Sequence, residues 1–185
     1  LSVRSCVFVI LLPLLSWSTL VNAAKPALPA IASAHPLATR AGIDILAQGG
    51  NAFDASIAVA AVLSVVEPYS AGMGGGGFWL LHEGASQRNV MVDAREMAPG
   101  KASRDMYLDA DGEVMREWAV SGPSAAAIPG QAAAFVHLAE HYGKLPLAES
   151  LAPAIRYARE GFPVDEHYRK MATYARKRLG RDPEA

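Results

Sequence analysis

The amino-acid sequence predicts a mixed α/β (α+β) fold, and three observations carry that prediction. Leu37, Ala41 and Ile45 recur at a spacing of four and lead into Gly49-Gly50, the pattern of a helix with a left-handed stop. Two short apolar runs, 77–82 and 89–94, flank the polar segment 83–88, the pattern of two strands joined as a hairpin. Helical patterns then return at 131–142, 148–160 and 165–179, with no internal repeat or low-complexity tract between them.

In chain order, Arg4 precedes an apolar run over 7–15, with small residues near Ala23 after it. One positive charge, a run too short to cross a bilayer comfortably and a small-residue cleavage site predict a secretory signal peptide over 1–23. The alternative, a retained membrane anchor, is disfavoured because Pro13 breaks the run. Cys6, the single cysteine, lies inside this segment, so the mature chain is expected to carry no thiol. That removes disulfides, thiolate metal sites and cysteine nucleophiles from consideration within these residues. Residues 24–34, with Lys25-Pro-Ala-Leu-Pro-Ala, read as a linker.

Folded structure is expected from His35, where Pro36 suits a first helical position because its missing donor would be unpaired there anyway. Asn51 is the expected cap of a second helix, with Asp54 in its first turn. The body over 55–66 is apolar on almost every face, which requires burial. After the hairpin, 99–118 is polar and charged and reads as an exposed excursion. Its Asp109-Ala-Asp-Gly112 begins like a calcium loop but lacks the remaining ligands at the required spacing, which favours a plain turn. The segment 121–130 is expected to be extended, and Gly161-Phe-Pro to close the helix before it.

Composition bounds the function. With 51% hydrophobic and 19% charged residues the chain is of the folded rather than the disordered class. Seventeen basic against eighteen acidic residues leave a net charge of -1, so neither nucleic acid nor an anionic membrane surface is an expected partner.

Few constellations point to chemistry. The glycines at 74–77 follow a helix and lead into a strand, the wrong order for a phosphate cradle, and a tight turn with close backbone approach is the preferred reading. Arg95 stands at the end of the second strand, where its planar fork suits a carboxylate. On residue type alone, an ion pair with Asp93 or Glu96 is the preferred reading there. His137 and His141 have a zinc-compatible spacing but no evident third ligand, so no metal site is expected. No serine lies in a Gly-x-Ser-x-Gly elbow.

The motifs nevertheless resemble a known family in order and spacing from His35 to Tyr168. His35-Pro-Leu-Ala-Thr, Gly49-Gly-Asn-Ala-Phe-Asp-Ala, Val66-Glu-Pro, Gly74-Gly-Gly-Gly-Phe, Asp93-Ala-Arg-Glu-Met-Ala-Pro, Ile128-Pro-Gly, His141-Tyr-Gly-Lys-Leu-Pro, Pro153-Ala-Ile and Gly161-Phe-Pro-Val are similar to the start of the large subunit of gamma-glutamyltranspeptidases. The resemblance implies an N-terminal-nucleophile hydrolase with an αββα sandwich, incomplete in this chain, made as a zymogen that cuts itself into large and small subunits.

The implied nucleophile is a threonine freed at the start of the small subunit, whose own amino group serves as base. It would take a gamma-glutamyl group from glutathione or another gamma-glutamyl donor and pass it to an amino acid, a peptide or water, with no cofactor. Thr39 and Thr173 lack the family's processing context. No catalytic residue is therefore expected in this chain, and residues 35–185 are read as the N-terminal part of the large subunit, inactive without the small subunit from the same precursor.

One residue carries over. Arg95 matches the family's arginine for the donor alpha-carboxylate, which reverses the ion-pair preference. Cephalosporin or glutaryl acylases and poly-gamma-glutamate hydrolases share much of the pattern, and a non-catalytic degenerate homologue is a third possibility. A signal peptide on a thiol-free mature chain implies export, with the bacterial periplasm as the expected location. An incomplete sandwich further predicts exposed apolar surface where more strands would pack.

Overall fold

A computed structural model describes residues 28–180. The expected signal peptide, the first residues of the expected linker and residues 181–185 lie outside the described residues.

The first helix, α1 (Pro36–Ala47), starts as its sequence predicts, with an added feature. The Leu37 N–H donates to His35 Nδ1 at 3.1 Å, so the imidazole itself caps the helix behind Pro36. Gly49 ends it at φ 95°, a value an L side chain rarely adopts. Packing begins before His35, because Ile31 lies against the small cluster of Ile45, Ala55 and Ala58.

Helix α2 (Ala52–Val66) opens on a capping box. Asn51 Oδ1 accepts the Phe53 and Asp54 N–H groups at 2.8 and 3.1 Å, and Asp54 Oδ2 accepts the Asn51 N–H at 2.8 Å. Its apolar body is the centre of the fold, with α1, α3 (Gln131–His141) and α4 (Leu147–Glu160) packed around it. Being surrounded by helices explains its lack of a polar face. Ile57, Ala58 and Val62 are fully buried, and Val66 at its end shares one cluster with Leu81, Ala94 and Phe135.

Strands β1 (Gly77–Glu83) and β2 (Arg88–Ala94) form an antiparallel hairpin in register from Gly77 opposite Ala94 to Glu83 opposite Arg88. Side chains alternate across a strand, so the two faces differ. Trp79, Leu81, Val90 and Val92 turn toward the helices, and Trp79 meets Phe135 of α3 edge-on, with centroids 5.8 Å apart. The other face carries Phe78, Leu80 and Met91, which are 60%, 74% and 59% exposed. This is the uncovered apolar surface expected of an incomplete sandwich.

Beyond the hairpin the chain runs over the surface. Asp109 Oδ1 accepts the N–H groups of Asp111 and Glu113 at 3.0 and 2.9 Å, making 109–112 a side-chain-closed turn between bridged Leu108 and Val114. The expected extended run over 121–130 is interrupted: Pro123–Ala125 is a 3-10 turn. Gly122 at φ 82° and the preset φ of Pro123 start that turn, and Tyr107 Oη donates to the Ser124 carbonyl at 3.0 Å to hold it. Ala126 returns to extended backbone, and Ile128 pairs with Met97.

The last helix, α5 (Glu166–Leu179), is capped by Asp165, whose Oδ1 accepts the Tyr168 N–H at 2.7 Å. Tyr69 packs edge-on against His167 and Tyr168 at its start, with centroids 5.2 and 5.9 Å away. The described residues thus hold a layer of helices on one face of a two-stranded sheet, a mixed helix and sheet architecture as the sequence predicts.

Candidate functional site

Arg95 is the residue immediately after β2, and three stretches of chain meet around it. Antiparallel bonds join Met97 and Ile128, the Met97 N–H donating to the Ile128 carbonyl at 3.1 Å and the Ile128 N–H to the Met97 carbonyl at 2.8 Å. On the other side, the Gly75 carbonyl accepts the N–H groups of Gly130 and Gln131, at 3.1 Å each, from the start of α3. The glycine run, the Arg95 segment and the entry to α3 are therefore one backbone assembly.

The glycines act as the sequence reading prefers, by close approach. A Cβ placed on Gly76 would strike the Ala94 carbonyl oxygen and lie 3.0 Å from the Arg95 carbonyl carbon, whereas one on Gly74 would meet nothing within 4 Å. The need for glycine is thus concentrated at one position of the four.

The Arg95 N–H donates to Asp93 Oδ1 at 2.9 Å, closing a side-chain turn that carries the chain out of the strand. Its Nε lies 3.3 Å from Glu96 Oε2, and the Arg95 side chain is 69% exposed. Both acids named as ion-pair candidates therefore touch Arg95, one through the backbone and one through the side chain. An exposed pair of this kind contributes about 0–1 kcal/mol, less than the roughly 1.5–3 kcal/mol of a charge-assisted hydrogen bond to a bound carboxylate. The pair with Glu96 can coexist with, or yield to, an anionic ligand.

The other polar residues fall into structural places. His35 caps α1, and His82 Nδ1 lies 2.8 Å from Asn89 Oδ1 across the hairpin. His137 and His141 stack with centroids 4.3 Å apart, and His141 Nδ1 lies 2.9 Å from the His137 carbonyl oxygen. Among the described residues, no group of three or more His, Cys, Asp or Glu is arranged to hold a metal ion. Thr39 is bonded to Ser33, hydroxyl to hydroxyl, at 2.7 Å, and the Thr173 hydroxyl donates to the Arg169 carbonyl within α5.

Two residues escaped sequence reasoning. Asp54 reads as a first-turn acid, yet it is fully buried, and its carboxylate also accepts the N–H of Lys144. The available signal was an acid inside an otherwise apolar helix. Gly130 reads only as a small residue, yet a Cβ there would strike the Ala94 carbonyl oxygen, the same atom that one on Gly76 would strike. A glycine directly ahead of a helix, at φ -102°, gave no conformational hint of that role.

Comparison with known proteins places this assembly. The family model described as gamma-glutamyltranspeptidase matches residues 38–185. The glutathione hydrolase proenzyme of Escherichia coli (strain K12) is 40% identical over 136 residues, covering 74% of this chain and 23% of that protein. The acylase ACY 1 proenzyme of Pseudomonas sp. (strain V22) is 39% identical over 155 residues, covering 80% of this chain and 28% of that protein. The crystal structure of Helicobacter pylori gamma-glutamyltranspeptidase superposes with a TM-score of 0.82 at 35% identity, covering 86% of this chain and 46% of that one. The chain spans about a quarter of the length of the curated relatives it matches. With its motifs, its fold and these matches in agreement, the chain belongs to the gamma-glutamyltranspeptidase family.

Proposed function

We propose that the protein containing this chain is a gamma-glutamyltransferase and glutathione hydrolase, and that Arg95 binds the alpha-carboxylate of its gamma-glutamyl donor. The observation that carries this reading is an exposed guanidinium anchored by its own backbone at the end of β2, within the family's Asp-Ala-Arg-Glu motif. Its fork meets a carboxylate with two parallel bonds, which orients the donor as well as holding it.

The nucleophilic threonine, the small subunit, cleavage of glutathione and transfer to an amino acid, peptide or water are carried from the family resemblance. On this reading residues 35–185 supply binding rather than bond-breaking, and the exported protein works in the bacterial periplasm.

The test is to express the full-length gene and to look for two subunits together with chromophore release from a gamma-glutamyl anilide. Arg95→Lys should raise KM for the donor by about tenfold, because a single ammonium replaces a bidentate fork. An unchanged KM overturns the assignment. The acylase relative supports a second reading, the cephalosporin or glutaryl acylase that shares the motif pattern. Faster turnover of a glutaryl amide than of the gamma-glutamyl amide selects that reading, and absence of both activities and of maturation selects a degenerate homologue.

A further inference from the structure

Gly76 and Gly130 come from different parts of the chain but approach the same peptide. A Cβ on Gly76 would strike the Ala94 carbonyl oxygen and lie 2.9 Å from the Glu96 nitrogen and 3.0 Å from the Arg95 carbonyl carbon. One on Gly130 would strike the same oxygen and lie 2.7 Å from the Ala94 carbonyl carbon and 3.0 Å from the Arg95 carbonyl oxygen. Neither glycine has a positive φ, unlike Gly49, Gly112, Gly122 and Gly161. Conformational freedom therefore does not explain them, and the missing side chain does.

We propose that Gly76 and Gly130 are positioning residues that together seat the Ala94–Arg95 peptide by close approach to its carbonyl and so set where the Arg95 guanidinium stands. The inference rests on the reading of Arg95 as the donor-carboxylate arginine. The two approaches are locked together by backbone bonds: the Gly75 carbonyl accepts from Gly130 and Gln131, and Met97 and Ile128 exchange N–H groups beyond Arg95. Ala94 is buried, so its peptide cannot swing outward to relieve an added methyl without disturbing the hairpin's inner face. A methyl on either glycine must move this peptide by about 1 Å, enough to misalign a bidentate contact between the guanidinium and a bound carboxylate.

The experiment is donor kinetics in the full-length enzyme with a gamma-glutamyl anilide. Gly76→Ala and Gly130→Ala should each raise KM by about tenfold while kcat changes by less than about threefold, the split expected when ground-state binding is lost. Gly74→Ala, with open space around its Cβ, should match wild type. In an Arg95→Ala background, Gly130→Ala should add no further rise in KM. A purely structural glycine would add its effect there unchanged, and that result overturns the proposal.

A KM within about twofold of wild type in both glycine variants also overturns it. If in that case Arg95→Ala still raises KM, the carboxylate reading stands and only the positioning role falls. If Arg95→Ala leaves KM unchanged, both fall. Should the alanine variants not accumulate, Ile128→Pro provides the milder probe. It deletes the N–H that the Met97 carbonyl accepts, at a half-exposed position, and loosens the same assembly without touching its glycines. A raised KM there supports the proposal, and a wild-type KM overturns it.

Discussion

The carboxylate of Asp54 holds the backbone N–H of Lys144, at 3.0 Å to Oδ2 and 3.2 Å to Oδ1, across 90 residues of sequence. Asn51 reinforces the link, its Nδ2 donating to the Tyr142 carbonyl at 2.6 Å. The start of α2 is thereby tied to the turn between α3 and α4, so two family motifs distant in sequence form one structural joint. Gly143 has to be small there, because a Cβ would lie 2.6 Å from Asp54 Oδ1.

Asp54→Ala should therefore be costly without touching the Arg95 region. The part-buried N–H groups of Asn51 and Lys144 lose their acceptor, at about 1–3 kcal/mol each, for a loss of about 3 kcal/mol in total. Urea unfolding of the full-length protein reads this directly. Donor KM of whatever folds should remain near wild type, since the joint lies at the other end of the helices from Arg95.

Among the described residues Phe135 is the largest fully buried side chain, and it carries the edge-on contact to Trp79 between helix layer and hairpin. Phe135→Ala should lower the unfolding free energy by about 3–5 kcal/mol, and Phe135→Leu by clearly less, because leucine leaves the smaller cavity. Equal losses for the two would mean that the site collapses freely around the missing ring.

At the tip of the hairpin, the Arg88 Nη2 donates to Glu83 Oε1 at 2.7 Å and the Ser86 hydroxyl to Oε2 at 2.9 Å. These bonds, the one from Arg88 first, hold the Glu83 carboxyl below its ordinary value of 4.5. The pair's contribution is complete above that value and fades as pH falls through the lower folded value. In a carboxylate NMR titration, Arg88→Ala should move the Glu83 midpoint up toward 4.5. An unmoved midpoint would show that Arg88 is not its cause.

The outer face of the hairpin, with Phe78, Leu80 and Met91, is an uncovered apolar surface. Residues 24–185 expressed alone should bind a hydrophobic dye and self-associate, and Leu80→Lys should reduce both. A cooperatively melting monomer that ignores the dye would show that this face needs no cover.

Sequence alone determined the local grammar of the protein. The helices, the hairpin and their caps were legible because the needed signals lie within a few residues: Pro36 at a helix start, Asn51 with Asp54 three residues on, Gly49 at a left-handed stop. Motif order likewise identified the family and singled out Arg95. Tertiary structure alone decided which of the glycines at 74–77 is pressed against a neighbour, that Gly130, distant in sequence, closes on the same peptide, and that Asp54 is a buried acceptor for Lys144. The turn at Pro123–Ala125 is shared between the two levels, started by the neighbouring Gly122 and Pro123 and held by the distant Tyr107 hydroxyl. The division has one physical cause: caps and periodicity act between neighbours in sequence, whereas steric approach and burial act between segments that only the folded chain brings together.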